Sequence, residues 1–137
     1  MIAIQECFFC KKQYNPHKKT SICCSPQCYA DLKYKRFIVF WREGKQEGGR
    51  QGGYVSAYVR RYLSEKYAMS CSNCGWNKRN PWNNTCHLEV DHIDGNSDNN
   101  TEANLRLLCP NCHSLTATYK SLNRGKGRTT LKRLREK

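Results

Sequence analysis

The chain has little that is long and apolar. No run approaches the ~18 consecutive apolar residues that a membrane-spanning helix requires, and the mean hydropathy is −0.86, so no membrane partner is expected. The opening "MIAIQECFFCKK" has no basic stretch followed by a long apolar segment, which argues against a secretory leader. An intracellular, cytoplasmic setting is therefore expected. Acid is scarce too. Eleven Asp and Glu face 24 Lys and Arg, for a net charge of +13. A small protein this basic meets a polyanion, and nucleic acid is the default partner. With 137 residues, 38% of them hydrophobic, the chain suits one domain plus an appendage with a modest core.

Cysteine is what the sequence has in excess. Eight of the 10 cysteines fall in close pairs: Cys7/Cys10, Cys24/Cys28, Cys71/Cys74 and Cys109/Cys112. In a reducing compartment such pairs read as zinc ligands rather than a disulfide scaffold. Cys71-x2-Cys74 and Cys109-x2-Cys112 are separated by 34 residues. Two such knuckles close a tetrahedral four-sulfur site, and the chain between them loops out. Gly75 after the first and Pro110 inside the second strengthen the reading. With so small a core, this zinc should decide whether the domain folds.

Cys7, Cys10, Cys24 and Cys28 suggest a second structural zinc, with the last cysteine at the start of a helix over "YADLKYKRFIVFW". Cys24-Ser25 ahead of Cys28 resembles the second half of small treble-clef fingers. Cys23 in place of Cys24, or His17 in place of one sulfur, stays open. Cys23 and Cys86 are otherwise free thiols, and His17 and His87 ordinary histidines.

Organisation follows composition. Residues 1–41 form a first unit. Residues 42–53, "REGKQEGGRQGG", hold five glycines and predict a flexible linker. Val55, Tyr58, Val59, Tyr62, Leu63 and Tyr67 recur at helical spacing and predict an amphipathic helix over 54–70, with Ser56 as an alternative start. A second unit at 54–123 and a basic tail at 124–137 complete the chain.

Charge is uneven. From Thr85 to His113 the net charge is −4, with Arg106 the only basic residue; from Ala117 to Lys137 it is +7. An acidic island in a basic chain suggests a metal-holding centre flanked by phosphate-binding segments. Within the island, Leu88 and Val90 alternate with Glu89, as in a strand with one buried face. "DGNSDNN" supplies loop chemistry, and Asp94 and Asn96 read as loop formers. Thr101 or Asn100 can cap the element that begins "EANLRLL". The expected order is strand, loop, strand, helix, with Asp91 and His92 at a strand end and His113 on the helix.

The stretch "LEVDHIDGNSDNNTEANLRLLCPNCHSLT" resembles the HNH nucleases, also called ββα-metal or His-Me finger endonucleases. The three name-giving positions match His92, Asn104 and His113, and the flanks, over about residues 54–128, resemble those of small phage-encoded members. The resemblance implies a ββα-metal core; with the cysteine spacing, the expected fold is small, α+β and zinc-stabilised, with an N-terminal treble-clef-like finger and connecting helices. The resemblance also implies hydrolysis of DNA phosphodiester bonds, leaving 3′-hydroxyl and 5′-phosphate ends. A neutral imidazole can take a proton from water near neutral pH, so His92 is the expected general base. Asp91 and His113 would supply a carboxylate and an imidazole to one Mg²⁺, Mn²⁺ or similar cation. By resemblance, Asn104 braces the loop that aims His92. Glu89 is left out of the metal set, on the expectation that strand alternation points it away. Arg124, Lys126, Arg128, Lys132 and Arg133 of the tail are expected to grip DNA phosphates. The rival readings are a non-catalytic zinc DNA-binding or adaptor protein, and a nuclease directed at RNA. Monomer and homodimer are both compatible with the sequence.

Overall fold

A computed structural model describes residues 3–50 and 54–124. The chain divides into two compact units, at 1–40 and 41–137. Both are small mixtures of helices and two-stranded sheets.

In the first unit, β1 (Gln5–Glu6) pairs antiparallel with β2 (Gln13–Tyr14). The Cys7–Cys10 turn lies between them, closed by Lys11 N–H donating to the Cys7 carbonyl at 3.0 Å. Helix α1 (Pro26–Arg42) starts two residues before Cys28 rather than after it. Pro26 needs no N–H partner in a first turn, and Ser25 Oγ accepts from the Cys28 amide at 3.1 Å. Cys28 thus sits in the first turn, facing the Cys7–Cys10 turn. Leu32, Tyr34 and Ile38 give the helix its buried side.

The second unit begins with the last turn of α1. The described part of the glycine-rich stretch, residues 42–50, is not a free spacer. β3 (Gly49–Arg50) pairs with β4 (Tyr54–Val55), and the Trp41 indole N–H donates to the Asn100 carbonyl at 2.7 Å. A Cβ on Gly48 would lie 2.3 Å from Trp41 Nε1, and one on Gly49 would lie 2.2 Å from Asn100 Nδ2. These glycines are there for close packing. Composition alone cannot separate a glycine that loosens a chain from one that lets two segments touch.

Helix α2 (Ala57–Lys66) is shorter than its apolar period suggested. Ser56 caps it, its side chain accepting from the Val59 amide at 3.2 Å, and this cap leaves Tyr54 and Val55 free to join the β3–β4 pair. Ala68 and Met69 take positive φ, 48° and 54°, which ends the helix before residue 70. Val59 and Leu63 are fully buried. Across from them, β5 (Glu89–His92) pairs antiparallel with β6 (Leu105–Leu108). Leu105, Leu107 and Leu108 complete the core. Helix α3 (Pro110–Ser114) follows β6 immediately and packs back on both strands. Among the described residues no helix is long and apolar enough to cross a membrane.

One carboxylate ties this unit together. Glu102 accepts from Arg42 Nε at 2.7 Å, Lys66 Nζ at 2.8 Å and Tyr62 Oη at 2.5 Å. It therefore joins the end of α1, α2 and the short turn before β6. Burial works to raise its pKa, but these three donors outweigh burial and hold it at about 2, against an ordinary value of 4.5. Because the folded carboxyl is the stronger acid, its stabilisation is complete above pH 4.5 and is lost as pH falls through 2. Glu102→Gln is expected to cost roughly 1–3 kcal/mol near neutral pH. It should also flatten the acid limb of a denaturant-measured stability profile. An unchanged limb would show that the three contacts contribute nothing net.

Candidate active site

The two cysteine sets come together as the spacing predicted. The sulfurs of Cys7, Cys10, Cys24 and Cys28 lie within 4.8 Å of one another, as do those of Cys71, Cys74, Cys109 and Cys112. Cys23 and His17 fall outside the first group. Sulfur–sulfur separations of 3.6 Å (Cys10–Cys24), 3.5 Å (Cys24–Cys28) and 3.8 Å (Cys74–Cys109) are far beyond the ~2.05 Å of a disulfide. They match the edges of a tetrahedron, about 3.8 Å for metal–sulfur bonds of ~2.3 Å.

The local electrostatics point the same way. Burial pushes Cys7 up, but the amides of Cys10, Cys24 and Phe9 bring it down to about 5. Hydrogen bonding to the sulfurs of Cys28 and Cys10 pushes Cys24 up to about 12. In the other set, burial is again outweighed by the amides of Cys109, Cys74 and Asn73, and Cys71 falls to about 6. The Trp76 amide favours the Cys74 thiolate, but the sulfurs of Cys112 and Cys71 push it up to about 12. Four thiolates at this spacing repel one another, and a bound dication removes that repulsion. Both sets can therefore hold zinc.

The second set also places a catalytic candidate. Ser72 N–H donates to the Leu107 carbonyl at 2.8 Å, which sets the first knuckle against β6. Cys109 caps α3, its sulfur accepting from the Cys112 amide at 3.5 Å. His113 follows directly, and its ring lies over β5. His113 Nε2 is 3.6 Å from Asp91 Oδ1, and Nδ1 is hydrogen-bonded to Glu89 Oε2. Asp91 is 4% exposed, and its other oxygen accepts from Arg106 Nε at 2.7 Å, its cross-strand partner in the register.

Glu89 thus stands where it was not expected. Residues 89 and 91 are two apart on a strand and share a face. The helix that delivers His113 covers that face, so pointing away from Leu88 and Val90 means pointing towards the site. A histidine that donates Nδ1–H to a carboxylate keeps a lone pair on Nε2, and His113 Nε2 lies on the Asp91 side.

His92, on the opposite face of β5, is held from its Nε2 by Asn100 Oδ1 at 2.9 Å. Asn104 is 8% exposed. Its Nδ2 donates to Asp94 Oδ1 and to the Asn99 carbonyl, both at 2.8 Å, and its Oδ1 accepts from the Asp94 amide at 3.0 Å. It therefore ties both ends of the loop together. Asp94 is the loop's hub. Burial opposes its charge, yet the amides of Asn99, Asn96 and Asn104 hold its carboxyl below the usual range. Gly95, at φ +75°, turns the chain after His92, and a Cβ there would lie 2.2 Å from Asn123 Oδ1. Of the expected DNA-gripping residues, only Arg124 is described; Lys126, Arg128, Lys132 and Arg133 lie outside the described residues.

This stretch matches a known family. The model for "HNH endonuclease" covers residues 71–116. Over residues 71–116 the chain is similar to HNH endonucleases. A relative, the H-N-H endonuclease F-TflIV of Escherichia phage T5, is 46% identical over 57 residues, which is 41% of this chain and 24% of the relative. The chain thus spans about a quarter of that relative's length. No solved structure matches. The matched residues contain both halves of the second cysteine set and the side-chain contacts of Asp91, His92 and His113 described above. The Trp41 segment, α2 and the first cysteine set lie outside the matched residues.

Proposed function

We propose that the chain is an HNH endonuclease that hydrolyses phosphodiester bonds in DNA with one divalent cation. In this reading β5, β6 and α3 are its ββα-metal core, and the first unit is a treble-clef-like finger. The observation that carries it is the pairing on β5 of His113 with the buried carboxylate of Asp91, 3.6 Å apart, next in the chain to His92. Asp91 Oδ1 and His113 Nε2, 3.6 Å apart, can both reach one small cation, since ligand distances of about 2.1 Å span up to about 4.2 Å. Bound there, Mg²⁺ or Mn²⁺ would supply Lewis acidity to the phosphate and the leaving oxygen. His92 accepts the proton of the attacking water at Nδ1, because Nε2 is engaged by Asn100. The hydroxide forms the new P–O bond, the bond from phosphorus to the 3′-oxygen breaks, and the departing 3′-oxygen takes a proton from solvent. The products carry 3′-hydroxyl and 5′-phosphate ends, one nick per centre, so a double-strand break takes two protomers or two events.

The test is nicking of supercoiled plasmid with Mg²⁺ and with a chelator, followed by end mapping, with labelled RNA in parallel. Binding without cutting would support the adaptor reading, and cutting of RNA alone would reassign the substrate. Glu89→Gln is expected to raise the cation concentration for half-maximal cutting about 10–100-fold, the usual cost of losing the partner that orients a metal ligand. An unmoved cation titration would separate Glu89 from the metal site.

A further inference from the structure

Asn100 is bonded on three sides beside His92. Its Nδ2 donates to the Ser97 carbonyl at 3.3 Å, which turns Oδ1 towards His92 Nε2 at 2.9 Å. Its carbonyl accepts from the Trp41 indole at 2.7 Å. Trp41 is 5% exposed and meets Tyr62 edge-on at 5.5 Å between ring centroids. Gly49 leaves no room beside the amide: a Cβ there would lie 2.2 Å from Asn100 Nδ2 and 3.0 Å from Cγ. The far end of a side chain gives way more easily than backbone, so a methyl group at residue 49 would displace the Asn100 amide.

We propose that Asn100 is a positioning residue that fixes the His92 ring through Nε2, and that the Trp41–Gly49 segment locks Asn100 in that pose. The inference rests on the endonuclease reading for its effect on rate, but not for the contact itself. An imidazole held at one nitrogen keeps the other aimed along one direction, and a misplacement of about 1 Å at a reacting group can cost about 10²-fold. The segment from Trp41 to Gly49, outside the HNH-matched residues, thereby becomes part of the catalytic apparatus.

The experiment uses the full chain, with zinc content and circular dichroism measured for each variant. Asn100→Ala is expected to lower the single-turnover rate at saturating DNA about 10–100-fold. DNA affinity and the cation titration should stay within about twofold, since neither passes through this contact. Asn100→Asp, which keeps an acceptor oxygen, should recover most of the loss. By ¹⁵N-resolved NMR, the His92 Nε2 proton should be protected from solvent exchange in the wild type and in Asn100→Asp, and lost in Asn100→Ala. Gly49→Ala should lower the rate in the same manner. An unchanged rate in Asn100→Ala, or equal losses in the Ala and Asp variants, overturns the proposal. If Asn100→Ala fails to fold, Gly49→Ala decides, and an unchanged rate there overturns it. A wild type that does not cut DNA defeats the endonuclease reading, while the exchange of the His92 proton still decides whether Asn100 holds the ring.

Discussion

Replacing His92 with alanine is expected to reduce plasmid nicking to below about 1% of the wild-type rate, since a positioned base contributes about 10²–10⁴. DNA affinity and zinc content should not change. The base acts on the water only as the new bond forms, so its removal raises the barrier without weakening the complex. Its surroundings support so clean a loss. The Asn104–Asp94 contacts shape the loop by themselves, at 2.8 and 3.0 Å, and Asp91 is held by Arg106 rather than by His92. The variant should therefore fold, bind cation and bind DNA. Nicking above a few percent, with the cation titration unchanged, would remove His92 from the base role. A parallel loss of zinc or of DNA affinity would show that its role is structural.

Cys71→Ser and Cys109→Ser are expected to unfold the second unit. Both residues are nearly buried, at 2% and 4% exposure, and they share a cluster with Leu108 at 1%. A structural zinc contributes roughly 10–16 kcal/mol, whereas a domain's whole stability is about 5–15 kcal/mol. Loss of one sulfur therefore removes an amount comparable to the total. The site would go with it, because α3 starts at the Cys109 cap and carries His113. Circular dichroism should show the collapse, and metal analysis should fall from two zincs per chain. Cys86→Ser is the control: Cys86 lies outside both sets, and its thiol donates to the Met69 carbonyl at 3.7 Å. A Cys71→Ser protein that melts like the wild type would show that the apolar core suffices. A count of one zinc in the wild type would demote the Cys7/Cys10/Cys24/Cys28 set.

The sequence by itself determined the cysteine partners, the acidic island and the strand–loop–strand–helix order around His92, Asn104 and His113. Each is a matter of spacing along the chain, and CxxC turns, strand alternation and Asn/Gly-rich loops are local geometry that spacing encodes. Only the tertiary structure decided three other things. Glu89 entered the site because a helix lies over its face of β5, and alternation says which residues share a face but not what covers it. The stretch from Trp41 to Gly49 became packed structure because Asn100, some fifty residues away in sequence, offers it a carbonyl and an amide. Asn100 itself looked like one loop former among several. Its hold on His92 arises from the path of the loop, which Asp94 and Asn104 set together, and a contact made by that path has no period in the sequence to reveal it.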